Sequence, residues 1–331
     1  MSGRRFLLIL WFGLLLLVTH LASAQQNFGV VQGRLAQKTK QIEVIGRVGL
    51  VTVAEPGFKL IMPVSINGSK STWWVVDTGA QACLIDPSLA NKLSLQTAGQ
   101  VHGEGGTFPV ETVNNFQIGN FSCNDVPCVV RSLGDLKKLS VRSEGGALEQ
   151  TGLIGINLLA KYGALINCRT GQIFLSPTGN LGMSQQKYEA MGFTHVPISL
   201  TPRNRLEIVG SLGGHEFSFF LDTGGFTTAL TNGIREEVNA PTSASKIKAV
   251  GSFHDFGKNS ELSWVEPSNF KLGNYDAKGA RVAFTTLNLP DNQGASHRLA
   301  GFIGLDFLVD RSAIIDIGGR ALYLKPYSTP K

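Results

Sequence analysis

Asp-Thr-Gly occurs twice in this sequence, at Asp77-Thr78-Gly79 and at Asp222-Thr223-Gly224. One copy means little, because Asp and Gly are ordinary turn residues. Two copies in the same setting mean more. Residues 73–86 read WWVVDTGAQACLID and residues 218–231 read SFFLDTGGFTTALT, so each tripeptide ends one apolar strand and opens another. An Asp at the mouth of such a loop is held on a rigid scaffold. The Gly permits a backbone geometry that a side chain blocks, and the Thr hydroxyl can bond across to a facing loop. If the two loops meet about a pseudo-twofold axis, Asp77 faces Asp222. Two carboxylates a few ångströms apart cannot both ionise easily, so they share a proton. One is then a general base for a water, and the other a general acid toward a carbonyl.

The elements that must position these residues are duplicated as well. FQIGN at 116–120 matches FKLGN at 270–274, and GLIGINLLAKYGALINCRTGQIFL at 152–175 matches GFIGLDFLVDRSAIIDIGGRALYL at 301–324, with 7 identities in 24 positions. The order is the same in both halves: Asp77 to Gly152 is 75 residues and Asp222 to Gly301 is 79. A repeat of that length is a lobe with its own core, not a solenoid unit. Ahead of each tripeptide the pattern reads strand, turn, strand, with Asn67-Gly68 at the first turn and Gly213-Gly214 at the second. Short helices are expected only after the two Ile-Gly segments, at 156–163 and 305–312. The polar join SPTGNLGMSQQKYEAMGF, 176–193, has room for one helical turn.

In this combination of motifs the chain resembles the retropepsin-like aspartic proteases, with two units in tandem. The resemblance covers about residues 58–326. Proton sharing between paired aspartates is the established behaviour of aspartic proteases. The resemblance implies that Asp77 and Asp222 are the catalytic pair. It also implies that Thr78 and Thr223 bond between the loops, that Gly79 and Gly224 complete them, and that Ile154-Gly155 and Ile303-Gly304 pack beneath them. It further implies a cleft covered by flap hairpins. VHGEGGTFPVET, 101–112, fits the first flap, and the longer region AVGSFHDFGKNSELSW, 249–264, fits a different second one. Pepsin-like enzymes usually carry Ser after the tripeptide and a Tyr in the first flap. Here Ala80 and Gly225 follow the tripeptides and the first flap has no Tyr, which favours the retropepsin type.

The expected fold is all-β: a bilobal acid-protease fold of two pseudo-twofold-related β-barrel-like lobes with short helices. Residues 1–24 read as a signal peptide, with Arg4 and Arg5, an apolar run from Phe6 to Val18 and Ala22-Ser23-Ala24 at the cut. Residues 25–55 leave three readings open: a pro-segment, an extra strand that binds the lobes, or a partly ordered tail. The first lobe takes 56–176, the linker 177–193 and the second lobe 194–331. Export to the periplasm or the extracellular space follows from the signal peptide, and no later stretch could span a membrane.

Other chemistries lack their residues. The whole chain carries 30 Lys and Arg against 24 Asp and Glu, an ordinary solubility charge without a basic run, so nucleic acid is not an expected partner. There is no G-x-S-x-G elbow, and the six His show no metal-ligand spacing, so no cofactor or metal is expected. Ser252 and Asn259 spoil the one resemblance to a phosphate loop, around Gly257-Lys258. His102 reads as a solvated loop residue. Trp73 and Trp74 read as packing on opposite faces of one strand, and Asn67 and Asn120 begin glycosylation triplets at hairpin turns. Cys83 and Cys168 read as small core residues. If Cys123 and Cys128 share a strand, their odd spacing forbids a bridge. The expected activity is that of an exported aspartic endopeptidase acting on polypeptides as a one-chain pseudo-dimer. The competing reading is a binder that holds an extended peptide in the same cleft without cutting it. A third pairs like lobes between two molecules.

Overall fold

The computed structural model describes residues 42–43 and 59–327, except 104, 135–140, 144–145, 149, 180, 182–183, 241–245, 249–260, 288 and 290–293. The signal-peptide reading for 1–24 and most of the second-flap region therefore lie outside the described residues.

Alternating apolar and polar residues with turn glycines give three main sheets. One nine-stranded sheet is built from the first half alone. Its strands run in the order 96–103, 106–113, 126–130, 83–85, 150–154, 72–76, 61–66, 116–118 and 121–123. The sheet of the second half follows the same order: 246–248, 261–265, 282–285, 229–231, 299–303, 215–221, 206–212, 270–272 and 275–276. An extra strand, Ser199–Leu200, pairs with Leu206–Leu212. Each half has a parallel pair at its centre. Val76 stands beside Ile154, and Leu221 beside Ile303, one residue before each Asp.

The third sheet is shared. Its six strands run 42–43, 172–174, 165–167, 314–316, 321–324 and 194–197, so a hairpin from each half lies side by side and the halves meet at one pair of strands. Leu165, Ile166 and Asn167 pair with Asp316, Ile315 and Ile314. Ile42–Glu43 lies on its edge against Gln172 and Ile173. This sheet joins the two copies. A single continuous cluster of buried apolar residues runs from Leu60 and Trp74 through Ile166, Ile315 and Leu322 to Phe270 and Phe284.

The helices also depart from expectation. Ile156–Lys161 and Leu305–Asp310 follow the Ile-Gly segments as read, and Gln185–Ala190 occupies the linker. A further helix, Pro87–Lys92, was not foreseen. The Ser88 amide donates to the Asp86 carboxylate (2.9 Å), and Pro87 sits in the first turn. Cap plus proline is a sufficient start signal for a short helix. The matching place in the second half holds only a 3-10 turn, Asn232–Ile234, capped by Thr231.

The cysteines are free thiols, all buried. Cys123 and Cys128 lie on different strands, so the same-strand argument does not apply to them. Cys128 instead stands in register with Cys83 on the neighbouring parallel strand. Trp74 is fully buried edge-on to Phe116, and half-buried Trp73 packs with Ile61, Val75, Leu133 and Leu153. Asn67 and Asn120 fall in hairpin turns. Among the described residues no helix is long and apolar enough to cross a membrane.

Candidate active site

Each Asp lies just past the end of a central strand. The Asp77 amide donates to the Ile154 carbonyl (3.0 Å), and the Asp222 amide to the Ile303 carbonyl (3.0 Å). Each loop then turns back on its own carboxylate. Asp77 Oδ1 accepts from the amides of Gly79 (2.8 Å) and Ala80 (3.0 Å). Asp222 Oδ1 accepts from those of Gly224 (2.9 Å) and Gly225 (2.8 Å). The Ala80 and Gly225 carbonyls are tied to the amides of Ile156 (2.8 Å) and Leu305 (2.8 Å). The Ile-Gly segments thus hold the loops from beneath.

The threonines lock the loops together. The Thr78 amide donates to Thr223 Oγ1 (3.0 Å), and the Thr223 amide to Thr78 Oγ1 (3.0 Å). The hydroxyls in turn donate across the axis, Thr78 to the Leu221 carbonyl (2.9 Å) and Thr223 to the Val76 carbonyl (2.7 Å). Both threonines are fully buried. Four hydrogen bonds between buried groups fix one loop against the other, and each would be costly to leave unmade.

The glycines let the carboxylates meet. A Cβ on Gly79 would lie 2.5 Å from Asp222 Oδ1, and one on Gly224 would strike the Asp77 carboxylate. Each carboxylate therefore rests on the glycine of the opposite loop. Asp77, Thr78, Gly79, Asp222, Thr223 and Gly224 are thus brought into one constellation. Burial and the neighbouring Asp222 push the Asp77 carboxyl up to about 7, against the pull of Lys59, the Gly79 amide and Arg205.

Lys59 is the residue that motif reading missed. It is 3% exposed; burial pushes its ammonium below the usual lysine range, while Asp77 and Asp222 draw it back up. Aligning the repeats one element further upstream finds it. Ile61 pairs with Val75, two residues before Asp77, and Glu207 with Phe220, two before Asp222. Lys59 in Lys59-Leu60-Ile61 therefore matches Arg205 in Arg205-Leu206-Glu207.

The segment read as the first flap forms a hairpin of Gln96–Gly103 and Gly106–Val113 whose first strand is exposed throughout. His102 pairs with Thr107 across this hairpin (2.7 Å). The Arg131 guanidinium lies 4.7 Å over the Phe108 ring.

Residues 62–158 match the family model described as aspartyl protease. By that match the chain is an aspartic-type peptidase. The matched segment holds the first Asp-Thr-Gly loop, the first flap and the Ile154-Gly155 support of this peptidase. Among solved structures it is similar to a retropepsin-like aspartic protease from Rickettsia conorii. The two are 20% identical over 33% of this chain and 75% of that one, with a TM-score of 0.25. No curated protein matches the peptidase.

Proposed function

We propose that this peptidase is an exported endopeptidase that hydrolyses peptide bonds in one active site, with Asp77 from the first half and Asp222 from the second. The observation that carries the reading is the reciprocal seating of each carboxylate on the opposite glycine. Two carboxylates held so close retain one proton between them. The ionised member takes a proton from a water, whose oxygen attacks the peptide carbonyl carbon. The protonated member gives its proton to the carbonyl oxygen as negative charge develops there. Breakdown of the tetrahedral diol returns a proton to the amine nitrogen as the C–N bond breaks, with no covalent enzyme intermediate.

The two strands of the flap hairpin support binding of an extended polypeptide by main-chain hydrogen bonds. Export rests on the basic, apolar and small-residue succession of residues 1–24. With the Asp77 carboxyl near 7, the pair holds its single proton on the acid side of neutral and loses it above. The rate should therefore fall as pH rises beyond about 7.

The test is cleavage of an unfolded protein by wild type, Asp77→Asn and Asp222→Asn, from about pH 3 to about pH 8. The reading requires that wild type cuts and that each folded single variant is inactive. A silent wild type, also with residues 25–55 removed, would favour a peptide binder. Loss of cleavage on adding a chelator would oppose the mechanism.

A further inference from the structure

Lys59 and Arg205 hold the same place in the two halves, two residues before Ile61 and Glu207, which pair with the strands leading to the two Asp. The backbone fixes both. The Val76 amide donates to the Leu60 carbonyl (2.8 Å), which seats Lys59 beside the approach to Asp77. Arg205 is pinned by a tight turn, in which its amide donates to Thr201 Oγ1 (3.1 Å) and its carbonyl accepts from the Thr201 amide (2.9 Å). The two cations differ in depth: Lys59 is 3% exposed and Arg205 is half-buried. Asp77 and Asp222 draw the Lys59 ammonium up against burial, and Lys59 and Arg205 draw the Asp77 carboxyl down against it. The charged groups that face Asp77 are Asp222, Lys59 and Arg205, and those that face Lys59 are Asp77 and Asp222.

We propose that Lys59, seconded by Arg205, sets the pH window in which Asp77 and Asp222 share one proton, holding both edges of that window lower than the buried carboxylates alone would. As a role in catalysis this rests on the hydrolytic reading above; as an electrostatic coupling it does not. Each proton lost by the pair adds one negative charge next to a fixed cation, so the cation favours both losses. The second loss gains most, because it creates a dianion. Burial limits screening by salt and keeps the coupling strong. A lysine so deeply buried costs stability unless carboxylates offset it. Lys59 is a positioning residue in this account, because it acts through the aspartates.

The test is the pH profile of kcat/KM on a reduced and alkylated protein for wild type, Lys59→Met, Lys59→Arg and Arg205→Met. Lys59→Met should move both limbs upward by about one pH unit or more. Lys59→Arg should leave them near their wild-type positions, and Arg205→Met should move them less than Lys59→Met. Limbs unmoved in Lys59→Met, or moved as far by Lys59→Arg, would overturn the proposal. A second measurement needs no cleavage: the pH dependence of thermal unfolding below about pH 8 for wild type, Lys59→Met, the Asp77→Asn/Asp222→Asn variant and that variant with Lys59→Met added. Lys59→Met should extend to higher pH the range over which stability falls as pH rises, and should do nothing to that range in the background that lacks both carboxylates. The same response in both backgrounds would also overturn it. A protein that shows this coupling but cleaves nothing would refute the hydrolytic reading and leave the coupling standing.

Discussion

The two halves place the same hydrogen bonds at the same backbone positions with different side chains. In the first half the Cys83 amide donates to Asn157 Oδ1 (2.9 Å), and the Gly155 amide approaches Cys83 Sγ (3.4 Å). In the second the Thr228 amide donates to Asp306 Oδ1 (2.8 Å), and the Gly304 amide to Thr228 Oγ1 (3.0 Å). Asn157 spends both ends of its amide, the nitrogen going to the Pro127 carbonyl (3.2 Å). Asp306 instead gathers the Thr228 amide, the Thr228 hydroxyl and the Phe307 amide on one oxygen. Burial still pushes its carboxyl up to about 6. The second half also buries Glu207, held by Ser199, Ser218 and Ser296, where the first has Ile61. The loop scaffold is thus two-fold, while the carboxylates Asp306 and Glu207 support it in the second half and the buried cation Lys59 stands in the first.

That contrast can be broken first at the loops, which should behave alike. Gly224→Ala drives a Cβ into the Asp77 carboxylate and should cost about 100-fold or more in kcat. Gly225→Ala meets Asp222 Oδ2 at 2.9 Å and merely copies Ala80 of the first loop, so it should cost less. Steady-state rates showing the reverse order would contradict the reciprocal seating. Next, Thr78→Val and Thr223→Val each remove one hydroxyl that donates across the axis and accepts an amide. Each should destabilise by about 2–4 kcal/mol in denaturant unfolding. A difference of several kcal/mol between the two would argue against a symmetric lock.

The supports should differ between halves. A carboxyl raised on folding binds its proton more tightly in the folded state, so stability is lost as pH climbs from the unfolded to the folded pKa. For Asp306 that window runs from about 4 to about 6, and Asp306→Asn should recover up to about 3 kcal/mol above it relative to pH 4. Asn157→Asp should introduce a similar slope into the first half. Unfolding free energies with unchanged pH slopes in both variants would remove the contrast. The smallest effect belongs to Glu207, whose serine donors outweigh burial and hold its carboxyl below the usual range. Its contribution is present above the unfolded pKa and lost as pH falls, the opposite sign. Glu207→Gln should cost about 1–2 kcal/mol at pH 7 and little near pH 3. An equal cost at both pH values would show that the carboxylate charge is not what the serines hold.

The duplicated loops, their Ile-Gly supports and the hairpins before them were legible because each is a contiguous pattern of apolar alternation, turn glycine and polar tripeptide. The shared sheet was not. Residues 165–167 and 314–316 show an apolar pattern but nothing that names a partner strand. Helix Pro87–Lys92 was legible in principle from Asp86-Pro87, yet it sits where strand alternation dominates. Lys59 escaped because its role comes from depth: one cation before a strand looks solvent-facing until the fold buries it. Its match with Arg205 becomes visible only when strand register aligns the repeats.

The central claim, one site completed by both halves of a single chain, is tested most directly by mixing purified Asp77→Asn with purified Asp222→Asn and assaying cleavage. If each chain closes its own site, every chain lacks one carboxylate and the mixture stays as inactive as its parts. If the first lobe of one chain pairs with the second lobe of another, the mixture regains activity that rises with protein concentration, and if like lobes pair between molecules, each variant already cleaves alone. Either result would contradict the account.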